Sequence, residues 1–276
     1  MSIGSASLRA WLEAPRARPL LLGPSLREVF GPDGAWGEGE ASLALALRRS
    51  ADAIVDLQRA VVDAGVDIVV APTAGTTAPA LQATGQAYRA AALTAAAVDL
   101  TRDAVLAAGR PALVVGEVPA LSGPRGRAEA HTHVERLLTS AIDGLLVLGD
   151  DLDSMREIVA LAAEHRLPTV VEVAPAQVRG AAILGATVVV VRGEDAEALD
   201  RALDAARQVS PALPIGARML APADAADREG AQLAIAAAWS VLGTRPLAIV
   251  GVGGRAALGA LPALADLSRV SRNSVA

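Results

Sequence analysis

The sequence predicts a single α/β domain built as a (β/α)8 barrel of the TIM type, on three observations. Eight short apolar runs rich in Val, Ile and Leu recur along the 276 residues. Longer Ala/Leu/Arg/Asp stretches with helical spacing lie between them. Turns containing Gly or Pro mark many of the changeovers. Continuous apolar runs of this length fit strands buried on both faces of a parallel sheet. Eight such β/α units suit a barrel of about 250 residues.

The elements follow in order. The first strand is expected in residues 19–23 (PLLLG). A helix over 51–64 places Ile54, Val55, Leu57, Val61 and Val62 largely on one face. It stops at Ala64-Gly65, before the second strand in 66–72 (VDIVVAP). The third strand is 112–118 (ALVVGEV). Helical spacing over 130–142, carried by Val134, Leu137, Leu138 and Ile142, leads to the fourth in 144–149 (GLLVLG). Met155, Ile158, Val159 and Ala162 define a helix over 154–165, stopped by Leu167-Pro168 before the fifth strand in 169–174 (TVVEVA). Leu184-Gly185 precedes the sixth in 186–192 (ATVVVVR). A helix over 196–209 (Leu199, Leu203, Ala206) leads to the seventh in 213–218 (LPIGAR). A last helix over 231–242 (Leu233, Ile235, Trp239, Leu242) and the turn Arg245-Pro246 precede the eighth in 247–253 (LAIVGVG).

Two segments stand outside this pattern, a Gly-rich loop over 24–40 after the first strand and 219–230 after the seventh. Loops that follow strands lie at the C-terminal face of a barrel, where active sites sit. One domain is expected to span 1–276, with 1–17 and 269–276 as flexible or peripheral ends. An open doubly wound sheet is the competing architecture. Its Gly-rich dinucleotide turn belongs to the first strand. Gly251-x-Gly253-Gly254 follows the last one and lacks the GxGxxG spacing.

Composition excludes several chemistries. Hydrophobic residues make up 53% of the chain and aromatics 2%, so the core must be built from Ala, Val, Leu and Ile. There is no cysteine and no lysine, and all 25 basic side chains are arginines. Without Cys there is no disulfide, thiolate nucleophile or thiolate-held metal. Without Lys there is no Schiff-base, pyridoxal-phosphate or P-loop lysine. A net charge of −5 with no dominant basic patch argues against nucleic acid. The first 15 residues carry Arg9, Trp11 and Glu13 and no long apolar core, unlike a secretory leader. No run reaches the roughly 18 apolar residues of a membrane span. A cytoplasmic protein is expected.

The order of pieces resembles the homocysteine S-methyltransferase family, zinc-dependent barrels that methylate homocysteine to methionine. Within 51–81, "AVVDAGVDIVVAPTAGTTAPAL" is similar to the family's helix, "AGADII" and T-N-T-Y strand end, with Thr73 matching the second threonine. Trp36 resembles a tryptophan of the family's first long loop. "LVVGEVPALSGPRG" resembles its V-x-G-S-x-G-P strand end, and "DGLLVLGDDLDSMREI" its D-L-x-x-x-E-T…E segment. "IVGVGGRAALGALPALADL" resembles the closing I-x-G-G-C-C-G-T-T-P-E-H-I. The similarity runs over about residues 18–268.

The departures bear on activity. The three zinc-binding cysteines of the family fall on Gly193, Val252 and Gly253, which offer no metal donor. The resemblance therefore implies no thiolate-bound zinc, and no other cofactor is firmly implied. Bound zinc would lower a thiol's pKa and hold the nucleophilic thiolate. The first-strand Asp-Gly-Gly becomes Leu22-Gly23-Pro24. The fourth-strand glutamate that would read the substrate's amino group falls near 148–150. With one residue of slack Asp150 takes its place, and Glu157 lines up with the later glutamate.

Polar residues near expected strand ends are Thr73, Glu117, Asp150, Asp151, Glu172, Arg192, Glu194, Arg218 and Arg255. Of these, Thr73, Glu117, Asp150, Arg192, Arg218 and Arg255 are the candidate substrate-binding set. Arginine would hold a carboxylate and aspartate an ammonium. The plain alternative is that these charges pair with one another across the barrel mouth. Arg255, after a Gly-rich turn, is also a candidate anion cradle. His131 and His133, two apart on a helix, make a poor chelate. His165 suits a helix C-terminus. An oxygen-rich Mg or Mn site from Glu117, Asp150 and Glu172 is a minor alternative.

Three functional classes remain. One is methyl transfer or one-carbon chemistry on a thiol or amino-acid-like molecule without thiolate-bound zinc. Another is a catalytically degenerate barrel that binds a small molecule or a partner. The last is another barrel enzyme using carboxylates or bound phosphate. A small-molecule ligand at the C-terminal face and a homo- or hetero-oligomer are the expected partners, with neither nucleic acid nor membrane.

Overall fold

The computed structural model describes residues 8–30, 42–221 and 228–270. Trp36, most of the first long loop, residues 222–227 of the second and both chain ends (1–7, 271–276) lie outside them. In chain order the elements begin with α1 (Leu8–Glu13), β1 (Leu20–Leu22), α2 (Leu26–Phe30), α3 (Ser42–Arg49) and α4 (Ala51–Asp63). Next come β2 (Ile68–Ala71), α5 (Ala78–Gln82), α6 (Ala90–Ala108), β3 (Leu113–Pro119) and α7 (Gly123–Leu138). Then follow β4 (Gly144–Leu148), α8 (Leu152–Glu164), β5 (Thr169–Val173), α9 (Val178–Ala181), β6 (Val188–Gly193) and α10 (Ala196–Val209). The last are β7 (Ile215–Leu220), α11 (Arg228–Leu242), β8 (Ile249–Gly253) and α12 (Ala257–Val270). The strands pair in parallel, each with its sequence neighbours, and β1 closes on β8. This is the (β/α)8 barrel the apolar runs predict. None of the described helices is long and apolar enough to cross a membrane.

Period-2 alternation along each strand separates two cores. Outward residues such as Val69, Val114, Val147, Val171 and Val189 meet the helices in the larger cluster. Inward residues form the smaller one, with Leu20, Ile68, Val70, Leu113, Val115, Leu146, Val170, Val188, Val190 and Ile249. Leu8 of α1 joins this inner cluster, with Trp11 and Leu12 packed beside it. Its neighbours there include residues at the strand starts, so α1 covers the N-terminal end of the barrel. Gly216 leaves room on the inner face, where an added Cβ would stand 2.6 Å from the Ile249 carbonyl oxygen.

The N-terminal end is tied by two aspartates placed just before strands. Asp67 accepts hydrogen bonds from Arg18 Nη1 at 2.6 Å, Arg18 Nη2 at 3.0 Å and the Leu21 amide at 2.8 Å. Asp143 accepts from Arg102 Nη2 at 2.8 Å and the Val114 amide at 2.7 Å. Each carboxylate thus joins its own strand to the preceding one. Asp143→Ala leaves the buried Val114 amide unpaired and is expected to cost about 2 kcal/mol, read as a lower urea midpoint with an unchanged slope. No loss would mean that water replaces the carboxylate without penalty.

Candidate functional site

At the C-terminal end the inner face turns from apolar to charged. Glu117, Glu172 and Arg192 each lie two residues beyond an inward valine (Val115, Val170, Val190), and Arg218 lies two beyond Gly216. The strand period therefore turns all four toward the barrel interior. Arg218 is fully buried. It donates from Nη1 to Glu172 Oε2 at 2.7 Å and from Nη2 to Glu28 Oε2 at 2.7 Å. Its Nε donates to the Val252 carbonyl at 3.3 Å. Glu28 comes from α2, so the start of the first long loop folds back over the mouth. Arg192 Nε lies 3.9 Å from Glu172 Oε1, a looser ion pair.

Burial by itself would lower the Arg218 pKa, but Glu172 and Glu28 outweigh it and hold the guanidinium above its ordinary value. Burial pushes the Glu172 carboxyl up, opposed by Arg218 and reinforced by Glu28. Glu117 is buried, and its pKa is pushed up to about 7. The cause is desolvation, with Ser25, Arg27 and Arg218 pulling down and Glu28 pushing up. Ser25 Oγ sits close to Glu117 but makes no hydrogen bond of good geometry. Both carboxyl oxygens of Glu117, Glu172 Oε1 and Ser25 Oγ are buried without a hydrogen-bond partner.

Behind Glu117 the backbone is clamped. Thr73, fully buried after β2, donates its hydroxyl to the Glu117 carbonyl at 2.8 Å. His133 of α7 places Nε2 3.1 Å from the same oxygen. A carbonyl only accepts, so His133 carries its proton on Nε2. Burial lowers the His133 pKa to about 4, which keeps the ring neutral at pH 7.

The structure brings Thr73, Glu117, Arg192 and Arg218 together at the inner C-terminal end. Asp150 is exposed, and its carbonyl accepts from Gln177 Nε2 at 2.8 Å. Arg255 is exposed in the turn after β8, and Glu194 is exposed after β6. Asp151 caps α8 by accepting from the Asp153 and Ser154 amides, which lowers its pKa. Glu157, on the outer face of α8, pairs with Arg127 at 3.2 Å. His131 is exposed, and His165 takes the C-cap of α8. Sequence reasoning missed Ser25, Glu28 and the buried role of His133. Glu172 is already marked at a strand end together with Glu117, but no sequence signal pointed to Glu28.

The three positions matching the family's zinc ligands do not fit a metal. A Cβ at Gly193 would meet Leu199 Cδ2 of α10 at 3.4 Å, outside the barrel. Val252 packs in the outer cluster. Gly253 alone faces the charged mouth. A Cβ there would stand 2.6 Å from Leu220 Cδ2, 3.0 Å from Glu28 Oε2 and 3.2 Å from Arg218 Nε. The Arg218–Glu28 pair thus takes up the space a thiol at this position would use. Among the described residues no group of three or more His, Cys, Asp or Glu side chains could hold a metal ion. Gly253→Cys is expected to cost about 1–3 kcal/mol through overpacking and to gain no zinc affinity. Thermal unfolding and a zinc titration check this; tight zinc binding by the variant would show that the ion pair yields.

Known structures share this architecture. Homocysteine methyltransferase MmuM from Escherichia coli in its metallated form superposes with a TM-score of 0.71 at 17% identity, over 94% of this chain and 99% of that one. Its oxidized form gives 0.72 at 18%, over 93% and 98%. The carboxyl transferase domain from Rhizobium etli pyruvate carboxylase gives 0.54 at 12%, over 95% of this chain and 48% of that one. No family model and no curated protein sequence matches the chain. At these identities the likeness establishes the barrel.

Proposed function

We propose that the C-terminal mouth binds a small thiol or amino-acid-like molecule. On this reading the chain is a homocysteine S-methyltransferase-like protein that acts without thiolate-bound zinc. The observation that carries this reading is the set of buried carboxyl oxygens on Glu117 and Glu172, beside Arg218, that have no hydrogen-bond partner. Buried acceptors are normally hydrogen-bonded, and a ligand ammonium or thiol supplies the missing donor. Arg218 is already held by two carboxylates, so the more open Arg192 is the better partner for a ligand carboxylate. The end-to-end superposition on MmuM supports the same reading.

Calorimetry with homocysteine, methionine and a methylsulfonium donor, with and without zinc, tests it. Millimolar or tighter binding that does not depend on zinc is expected. Absence of binding at millimolar concentration overturns the reading. A second reading, a catalytically degenerate barrel that binds but does not turn over, is favoured by the Arg218–Glu28 pair lying where a Gly253 side chain would go. Mass spectrometry of the incubated ligands separates the two, since binding without a methylated product supports degeneracy.

A further inference from the structure

Glu117 combines a fixed backbone with an unused side chain. Its carbonyl is held from two sides, by the Thr73 hydroxyl and the His133 ring, so the end of β3 is positioned by two other parts of the fold. Its carboxyl, turned into the barrel mouth, has no hydrogen-bond partner on either oxygen. The charged and titratable groups around it are Arg27 and Glu28 of α2, Arg218 of β7 and the neutral His133 of α7; the Ser25 hydroxyl also faces it. Arg218 is bound to Glu172 and Glu28 at 2.7 Å each, so it does not pair with Glu117. A buried carboxyl on rigid elements, with nothing tying its proton, is built to exchange that proton with whatever enters the mouth.

Resting on the methyl-transfer reading above, we propose that Glu117 is the general base of this barrel and removes the thiol proton of the methyl acceptor. The acceptor's S–H bond breaks, an O–H bond forms on the Glu117 carboxyl, and sulfur keeps the electron pair. That pair attacks the methyl carbon of a methylsulfonium donor. The new S–CH3 bond forms as the donor's S–CH3 bond breaks, its electrons leaving with the neutral sulfide. One negative charge on Glu117 and one positive charge on the donor disappear together. The proton stays on Glu117 until product release opens the mouth to water. Thr73 and His133 are positioning residues, acting through the Glu117 backbone. A carboxyl whose burial raises its pKa to about 7 is half ionised at neutral pH, matched to this work.

The test is the pH profile of homocysteine methylation, with S-methylmethionine or S-adenosylmethionine as donor. Wild-type kcat/KM is expected to rise about tenfold per pH unit and to level off near pH 7 as the carboxylate forms. Glu117→Gln should lower kcat on the order of 10²–10⁴-fold and remove that limb. Glu117→Asp should keep the limb at a reduced rate, showing that the carboxylate matters beyond folding. An active wild type with an unaltered rate and profile in Glu117→Gln overturns the base assignment alone. A wild type that transfers no methyl group overturns the methyl-transfer reading and the base assignment with it.

Discussion

Arg218→Met is expected to destabilise the barrel by about 3–5 kcal/mol at pH 7, the range for removing one partner of a buried ion pair. The variant leaves the fully buried Glu172 carboxylate and the Glu28 carboxylate without the guanidinium that joins them, with Arg192 as the looser remaining partner of Glu172. Two consequences separate this from simple loss of packing. The deficit should shrink as pH falls, because burial holds the Glu172 carboxyl above its ordinary pKa and protonating it removes the unpaired buried charge. It should also be largely recovered in the triple variant Arg218→Met, Glu172→Gln, Glu28→Gln, since replacing a whole buried charge cluster is far less costly than breaking it. Urea unfolding at pH 5 and pH 8 checks both. A pH-independent loss that the triple variant fails to recover would show that Arg218 acts by packing.

Glu117→Gln is expected to stabilise the fold at high pH and to change little in acid. In the unfolded chain the glutamate loses its proton around 4.5, whereas the folded protein holds it until about 7. Between those values the unfolded state binds fewer protons, so stability falls as pH rises. The difference between variant and wild type should therefore be near zero below pH 4.5 and grow to about 3 kcal/mol above pH 7, from about 1.4 kcal/mol per pH unit. His133 works in the opposite sense. Its pKa falls from 6.5 to about 4 on folding, so its contribution to stability is lost as pH drops through that window. The two slopes oppose each other in wild type, and Glu117→Gln exposes the histidine's. A variant-to-wild-type difference that stays flat from pH 4 to pH 8 would mean that Glu117 ionises in contact with water.

Much of the fold was legible in sequence because strand burial is written locally. The run 144–149 became β4 (Gly144–Leu148), and 186–192 became β6 (Val188–Gly193). The helix expected over 196–209 is α10 over the same residues. Other helices were harder to read. α6 is 19 residues long and rich in alanine, which blurs the apolar stripe that marks an amphipathic helix. α12 carries Pro262 inside, where proline normally signals a stop. α7 begins at Gly123, seven residues before the expected start at Ala130, because Gly123, Pro124 and Gly126 read as a turn.

The candidate site divides along the same line. Position near an expected strand end picked out Glu117, Glu172, Arg192 and Arg218, and the resemblance added weight to Thr73; the strand period then turns the four charged residues inward. Asp150, chosen at a strand end and by the resemblance, lies two residues past β4, beyond the strand period, and is exposed. The pairing of Arg218 with Glu28, 190 residues apart, could not be read from any local pattern. The sequence by itself determined the barrel, its two apolar layers and the absence of thiol and amine chemistry, since periodicity and composition act over a few residues. Only closure of the barrel decided which charges neutralise one another and which carboxyl is left without a partner, because burial and ion pairing depend on distances between segments remote in the chain.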